Sequence, residues 1–239
     1  MRWLSHGVSP NAVDQNFPLL ACASFKGRVD TVDLLLAVGA DVDAGTTDDG
    51  STSLYLAAQE GHVAVIEKLI VACADVDKAR TTDGSTPLFM AAQNGHTSTV
   101  EKLIAAGADV NKARTDDGAT PLSMAAQEGH TSTVEKLVAA GADVDKARTT
   151  DGVTPLFIAA QNDHTSTVEK LIAAGADVNK ARTTDGSTPL FMAAQNGHTA
   201  VVSKLLQHGA DKSIRGFNNV TPLEVAQRLN RAAIVALLA

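Results

Sequence analysis

The chain has 239 residues, a net charge of −7 and a pI near 5.4, with 44% hydrophobic residues but only 3% aromatics. The acidic balance opposes non-specific nucleic-acid binding, which needs a surplus of cations facing phosphate. No apolar run is long enough to span a membrane, and Met1 to Gly27 lacks the uninterrupted apolar stretch of a secretory signal. Few aromatics mean a core built from Leu, Val, Ile and Ala, whose small side chains suit closely packed helices. Cys22 and Cys73 are too few to staple a fold, have no zinc spacing and read as free thiols. A soluble intracellular protein, cytoplasmic or nuclear, is expected.

A fixed period organises the sequence. Asp-Gly recurs at Asp49-Gly50, Asp83-Gly84, Asp117-Gly118, Asp151-Gly152 and Asp185-Gly186, each 34 residues from the last. Residues 83–116 and 151–184 differ at four positions, so the repeat is near-exact in its middle. In chain order the period predicts a single domain over 1–239: a partial unit at 1–14, repeats at 15–48, 49–82, 83–116, 117–150, 151–184 and 185–217, and a capping unit at 218–239.

Within one repeat, Thr86-Pro87 reads as a helix start, since proline suits the first helical position where its missing N–H is not needed. The short helix through Leu88 to Ala92 stops at Asn94-Gly95. Ser98-x-x-Glu101 predicts a capping box for a second helix with Val100, Leu103 and Ile104 on its apolar face and Gly107 at its end. The polar stretch from Ala108 to Gly118 reads as an extended hairpin to the next repeat. Helix pairs this short cannot bury their apolar faces alone, so successive repeats must stack and share a core.

Trp3-Leu4-Ser5-His6-Gly7 is similar to Leu205-Leu206-Gln207-His208-Gly209, which predicts that the chain opens inside a second helix, with Trp3 covering the exposed end. Thr221 to Ala239 supplies two helices without a following hairpin, and Arg228 and Arg231 add the polarity a cap requires. Asp163 and Cys73 stand where sister repeats have glycine, at a cost of about 1 kcal/mol in left-handed geometry, which points to tandem duplication followed by drift.

The strings T-P-L-x-x-A-A and G-A-D-V-N resemble those of ankyrin repeats. Starts of this type lie at Thr86, Thr120, Thr154, Thr188 and Thr221, with looser forms at Thr52-Ser53-Leu54 and Pro18-Leu19-Leu20, so the resemblance covers nearly the whole chain. The usual histidine after T-P-L is replaced by Tyr55, Phe89, Ser123, Phe157, Phe191 and Glu224, and the period is one residue longer than the commonest form. The resemblance implies an all-α solenoid of helix-turn-helix units joined by β-hairpin loops.

Little chemistry is visible. His62, His96, His130, His164 and His198 recur once per repeat, but stacked helices lie about 8–10 Å apart, too far for two imidazoles to share a metal, so they read as structural. Thr97-Ser98-Thr99 reads as capping chemistry, because no base with an acidic orienter recurs beside it, and no G-x-x-x-x-G-K loop occurs. No catalytic residue, metal or cofactor is assigned. Lys78, Arg80, Lys112, Arg114, Lys146, Arg148, Lys180 and Arg182 form a hairpin row interleaved with Asp77, Asp83, Asp116, Asp117, Asp145, Asp151 and Asp185. Two readings stay open: solvated hairpins laced by weak ion pairs, or an arginine comb that reads a partner's carboxylates.

The resemblance implies a protein partner along the hairpin tips and the concave face of the first helices; a monomer is expected, and the charge and hydropathy point to no nucleic acid and no membrane. Carried over residue by residue, the exposed positions are Ser85, Ala119, Val153 and Ser187. With them go Gln59-Glu60, Gln93-Asn94, Gln127-Glu128, Gln161-Asn162 and Gln195-Asn196, and the arginines Arg80, Arg114, Arg148 and Arg182. Asn111 and Asn179 lie in segments similar to those that asparagine hydroxylases modify. The function expected is a non-enzymatic protein-interaction or scaffold module. The alternatives are a targeting segment of a longer enzyme or effector, or a structural spacer.

Overall fold

A computed structural model describes residues 9–239, so the expected contact of Trp3 lies outside the described residues. The chain forms two compact units, Met1–Asp116 and Asp117–Ala239. In the first, the short strands β1 (Val13–Asp14) and β2 (Phe17–Pro18) pair antiparallel around Gln15 and Asn16, both with positive φ, as a two-residue hairpin turn demands. Three helix pairs follow: α1 (Leu19–Phe25) with α2 (Val29–Ala37), α3 (Ser53–Glu60) with α4 (Val63–Val71), and α5 (Pro87–Gln93) with α6 (Thr97–Ala105). The first helices α1, α3 and α5 pack in sequence, and so do the second helices α2, α4 and α6.

The second unit repeats this plan. Its pairs are α7 (Pro121–Gln127) with α8 (Thr131–Ala139), α9 (Pro155–Gln161) with α10 (Thr165–Ala173), and α11 (Pro189–Asn196) with α12 (Thr199–Gln207). A fourth, α13 (Pro222–Arg228) with α14 (Ala232–Leu238), closes the unit. Again first helix packs on first helix and second on second.

Each first helix after α1, whose N-cap is Pro18, starts as its sequence dictates. Thr52, Thr86, Thr120, Thr154, Thr188 and Thr221 each accept, through Oγ1, the N–H three residues on, all at 3.2 Å. Such a cap contributes about 1 kcal/mol. The apolar residues then bury almost completely: Leu54, Ala57 and Ala58 in α3 and Leu88, Ala91 and Ala92 in α5 are 0% exposed, as are Leu69 and Leu103 opposite them. Burying one such leucine contributes about 1.5–3 kcal/mol, and alanine lets the backbones approach.

The second helices correct one expectation. The capping box at Ser98 and Glu101 does not form, because α6 begins at Thr97 with His96 at the N-cap and no side-chain cap bond, leaving Ser98 inside the helix. The histidine spends its ring elsewhere: His62, His96, His164 and His198 each place Nε2 2.8–3.0 Å from the carbonyl oxygen of Phe25, Gln59, Gln127 and Gln161, one repeat earlier. A carbonyl only accepts, so Nε2 carries the proton. The structural role expected of these histidines thus has a definite form.

Hairpins join the pairs by a few backbone bonds rather than long ladders. Arg80, Arg148 and Arg182 donate their N–H groups to the carbonyls of Ser85, Val153 and Ser187, closing each turn. Thr81, Thr115, Thr149 and Thr183 donate at 2.8 Å to the carbonyls of Asp49, Asp83, Asp117 and Asp151 in the preceding repeat. That contact explains the Asp-Gly signature. Gly84 has φ +74, and a Cβ there would lie 2.6 Å from Thr115 Cγ2. A second set of steps comes from side chains, as Asp43, Asp77, Asp145 and Asn179 accept the N–H of Asp75, Asp109, Asp177 and Asp211.

Candidate functional site: the hairpins and first-helix ends

The hairpin arginines are parts of the frame. Arg80 grips Asp83 with both prongs, Nε to Oδ1 at 3.2 Å and Nη2 to Oδ2 at 2.6 Å, while its guanidinium lies 5.6 Å over the ring of Tyr55. Arg182 grips Asp185 in the same way over Phe157. Arg148 grips Asp151, but the preceding repeat offers Ser123 where the others offer a ring. Arg114 lies over Phe89 and binds Asp116. Planar forks matched to carboxylates hold more firmly than point charges, and the stack adds a cation–π contribution.

These contacts set the local electrostatics. For Asp83, burial pushes the carboxyl up, but the bonds from Arg80 and Ser85 outweigh it and hold it well below the usual carboxylate range. Asp185 is lowered to about 2, chiefly by the Arg182 hydrogen bond, against an opposing push from burial. Both stay ionised at neutral pH, so each arginine is electrically matched within its own hairpin. The four lysines of the row, Lys78, Lys112, Lys146 and Lys180, are exposed.

A second expectation is corrected here. Ser85, Ala119, Val153 and Ser187 are buried, none more than 4% exposed, not presented to solvent. Each N–H is held by the Asp two residues before it, which turns the side chain inward. Ser85 Oγ donates to Asp83 Oδ1 and lies 3.2 Å from Tyr55 Oη, so it plugs the floor of the hairpin.

At the first-helix ends the paired residues part company. Asn94, Asn162 and Asn196 send Nδ2 back to the carbonyl oxygens of Gln59, Gln127 and Gln161, at 2.8–3.0 Å, and so belong to the frame. Where the Asn is replaced, Glu60 and Glu128 instead accept from the Nε2 of the adjacent Gln59 and Gln127. Gln93, Gln127 and Gln161 are half-buried and Glu128 is exposed. The structure therefore brings Arg80, Asn94, Arg114, Arg148, Asn162 and Arg182 into frame contacts within their units, and it leaves Gln127, Glu128 and Gln161 with side chains at the surface.

Residue-by-residue reading passed over one feature. A cavity of about 230 Å³ in the first unit is lined by Phe17, Phe25, Thr46, Asp49, Tyr55 and Arg80, among others. The signal was present in the period: Thr46 occupies the place that arginine holds one repeat later. Among the described residues no helix is long and apolar enough to cross a membrane.

Comparison with known proteins agrees with this geometry. No curated protein sequence matches the chain. Among solved structures, the crystal structure of the human ASB11 ankyrin repeat domain is similar, with a TM-score of 0.81 and 28% sequence identity over 92% of this chain and 97% of that one. The family model for ankyrin repeats, three copies, matches residues 1–81, 19–114, 54–148, 88–182 and 156–239. Those matches run from one end of the sequence to the other, and with helix pairs and hairpins of this construction the chain belongs to the ankyrin-repeat family, an all-α solenoid fold whose members generally serve as protein-interaction modules.

Proposed function

We propose that the chain is a non-enzymatic protein-binding module that engages its partner through the first-helix ends and hairpin tips, with Gln93, Gln127, Glu128 and Gln161 among the contacting side chains. The observation that carries this reading is a division of labour within one residue. At Gln161 the frame takes the carbonyl oxygen, through Asn196 and His198, and spares the side chain. The backbone is thereby fixed while the side chain is half-buried at the surface, so binding need not order the main chain, a cost that otherwise reduces affinity. Modest contributions from Gln127, Glu128 and Gln161, all in the second unit, sum.

The arginines Arg80, Arg114, Arg148 and Arg182 act in this reading by holding the hairpins still, and Asn94 and Asn162 by holding the helix ends. The test compares two charge-matched double variants of the whole chain: Gln127→Lys with Gln161→Lys, and Ser166→Lys with Ala173→Lys on α10. A partner captured by the parent chain and identified by mass spectrometry should lose about tenfold in affinity for the first pair and bind the second unchanged. Equal loss in both, or loss only in the second, would overturn the assignment of the face.

A further inference from the structure

The arginine clamp is missing from one repeat of the first unit. One period of 34 residues before Arg80 stands Thr46, and one period before Tyr55 stands Ala21, so both the guanidinium and the ring beneath it are absent. Their acceptor remains. Asp49 holds the place of Asp83, with Oδ1 accepting from Thr46 Oγ1 at 2.5 Å and from Ser51 N at 3.0 Å. The guanidinium contact to its Oδ2 is the long one from Arg80 Nη1, 3.5 Å, where Asp83 Oδ2 has Arg80 at 2.6 Å and Arg114 at 3.9 Å. What Asp49 lacks is therefore the short guanidinium bond.

The cavity described above is lined by Thr46 and Asp49, and Phe17, Phe25 and Tyr55 are among its walls. Phe17 packs on the cluster of Ala21, Tyr55 and Leu56, and Phe25 is 40% exposed. Burial pushes the Asp49 carboxyl up, but hydrogen bonds from Thr46 and Ser51 and the charge of Arg80 prevail and lower it, so it is an anion at neutral pH. Asp48 beside it is exposed and adds a second negative charge. Arg80 does not bar a second cation, since the intact repeat already sets two guanidiniums, Arg80 and Arg114, about the one carboxylate of Asp83.

We infer that this cavity receives an arginine side chain presented by a partner protein, its guanidinium on Asp49 Oδ2 and its stem between Phe17 and Phe25, so that the partner completes in trans the clamp that the other repeats make in cis. This inference names a partner chemistry for the protein-binding reading and rests on it. Arginine is favoured over lysine because a planar fork both pairs with a carboxylate and stacks on rings.

The test titrates the isotope-labelled full chain with Nα-acetyl-arginine N-methylamide, followed by NMR, beside the lysine and citrulline counterparts. The arginine probe should bind saturably, with an affinity on the order of millimolar, and shift resonances around Asp49 and Phe25; the lysine and the isosteric but neutral citrulline probes should be about tenfold weaker. Thr46→Arg, which restores the sister residue, should abolish those shifts while the chain stays folded. Should that variant fail to fold, Asp49→Asn is read in its place, with the same expected loss. Citrulline binding as well as arginine, an absence of saturable binding, or persistence of the shifts in the folded variant would overturn the inference. The probe needs no partner protein, so failure here and failure of the capture experiment are separate results.

Discussion

The imidazole of His96 donates from Nε2 to the carbonyl oxygen of Gln59, 2.9 Å away and one repeat earlier, and in doing so it occupies the space beside Gly61. Gly61 has φ +72, and a Cβ there would lie 2.7 Å from His96 Nδ1; Gly107, at φ +92, has nothing within 4 Å of its own. Gly107→Ala should cost only left-handed strain, about 1 kcal/mol. Gly61→Ala should cost roughly 2–3 kcal/mol, because strain and displacement of the histidine add. Chemical denaturation of the two variants checks the difference, and equal costs would show that the histidine yields freely.

Arg182 and Arg148 separate the fork from the stack. Both grip an aspartate, but only Arg182 lies over a ring. Substitution by lysine should therefore destabilise more at Arg182 than at Arg148, by about 0.5–1 kcal/mol, the cation–π share.

Most of the fold was legible in the sequence because its signals are local. Thr-Pro starts, glycine stops and the 34-residue period each act within a few residues or repeat without change. The site was less legible, since burial and pairing depend on the neighbouring repeat. Ser85 follows an Asp-Gly turn and looks exposed, yet Asp83 turns it inward beneath Tyr55. Ser98-x-x-Glu101 fits a capping pattern, but the N-cap falls two residues sooner, at His96, whose ring reaches to the previous repeat. Arg80 makes an ion pair within its hairpin, with the Asp83 of its own loop, but its place over the ring of Tyr55 depends on the neighbouring helix pair and was in neither reading.

Cys73 holds φ +63 at the end of α4, where sister repeats have glycine, and its side chain is exposed. Cys73→Gly should raise stability by about 1 kcal/mol, less the entropy gained by the unfolded chain. A thermal melt of the variant reads this directly.

Thr99 is buried with its hydroxyl unpaired, while the equivalent positions one period before and three periods after hold Val65 and Val201. Thr99→Val keeps the shape and removes the unpaired group, so it should stabilise by about 1 kcal/mol. A loss of stability would mean that the hydroxyl is paired in solution.

The clamps also fix how acid acts. Asp185 has its carboxyl lowered to about 2 by Arg182, against about 3.9 in an unfolded chain. A depressed carboxylate contributes its stability fully above the unfolded value, and that contribution fades as pH falls from about 4 through about 2. Asp185→Asn should lower stability at neutral pH by on the order of 2 kcal/mol and flatten the decline across that window. Unfolding free energies of parent and variant at pH 2.5, 4 and 7 check the sign.

Hydrogen–deuterium exchange of the whole chain, alone and with a captured partner, tests the binding face most directly. Added protection is expected at the ends of α5, α7 and α9 and in the hairpins carrying Lys78, Lys112, Lys146 and Lys180, with α6, α8 and α10 unchanged. Protection confined to those second helices would contradict the account.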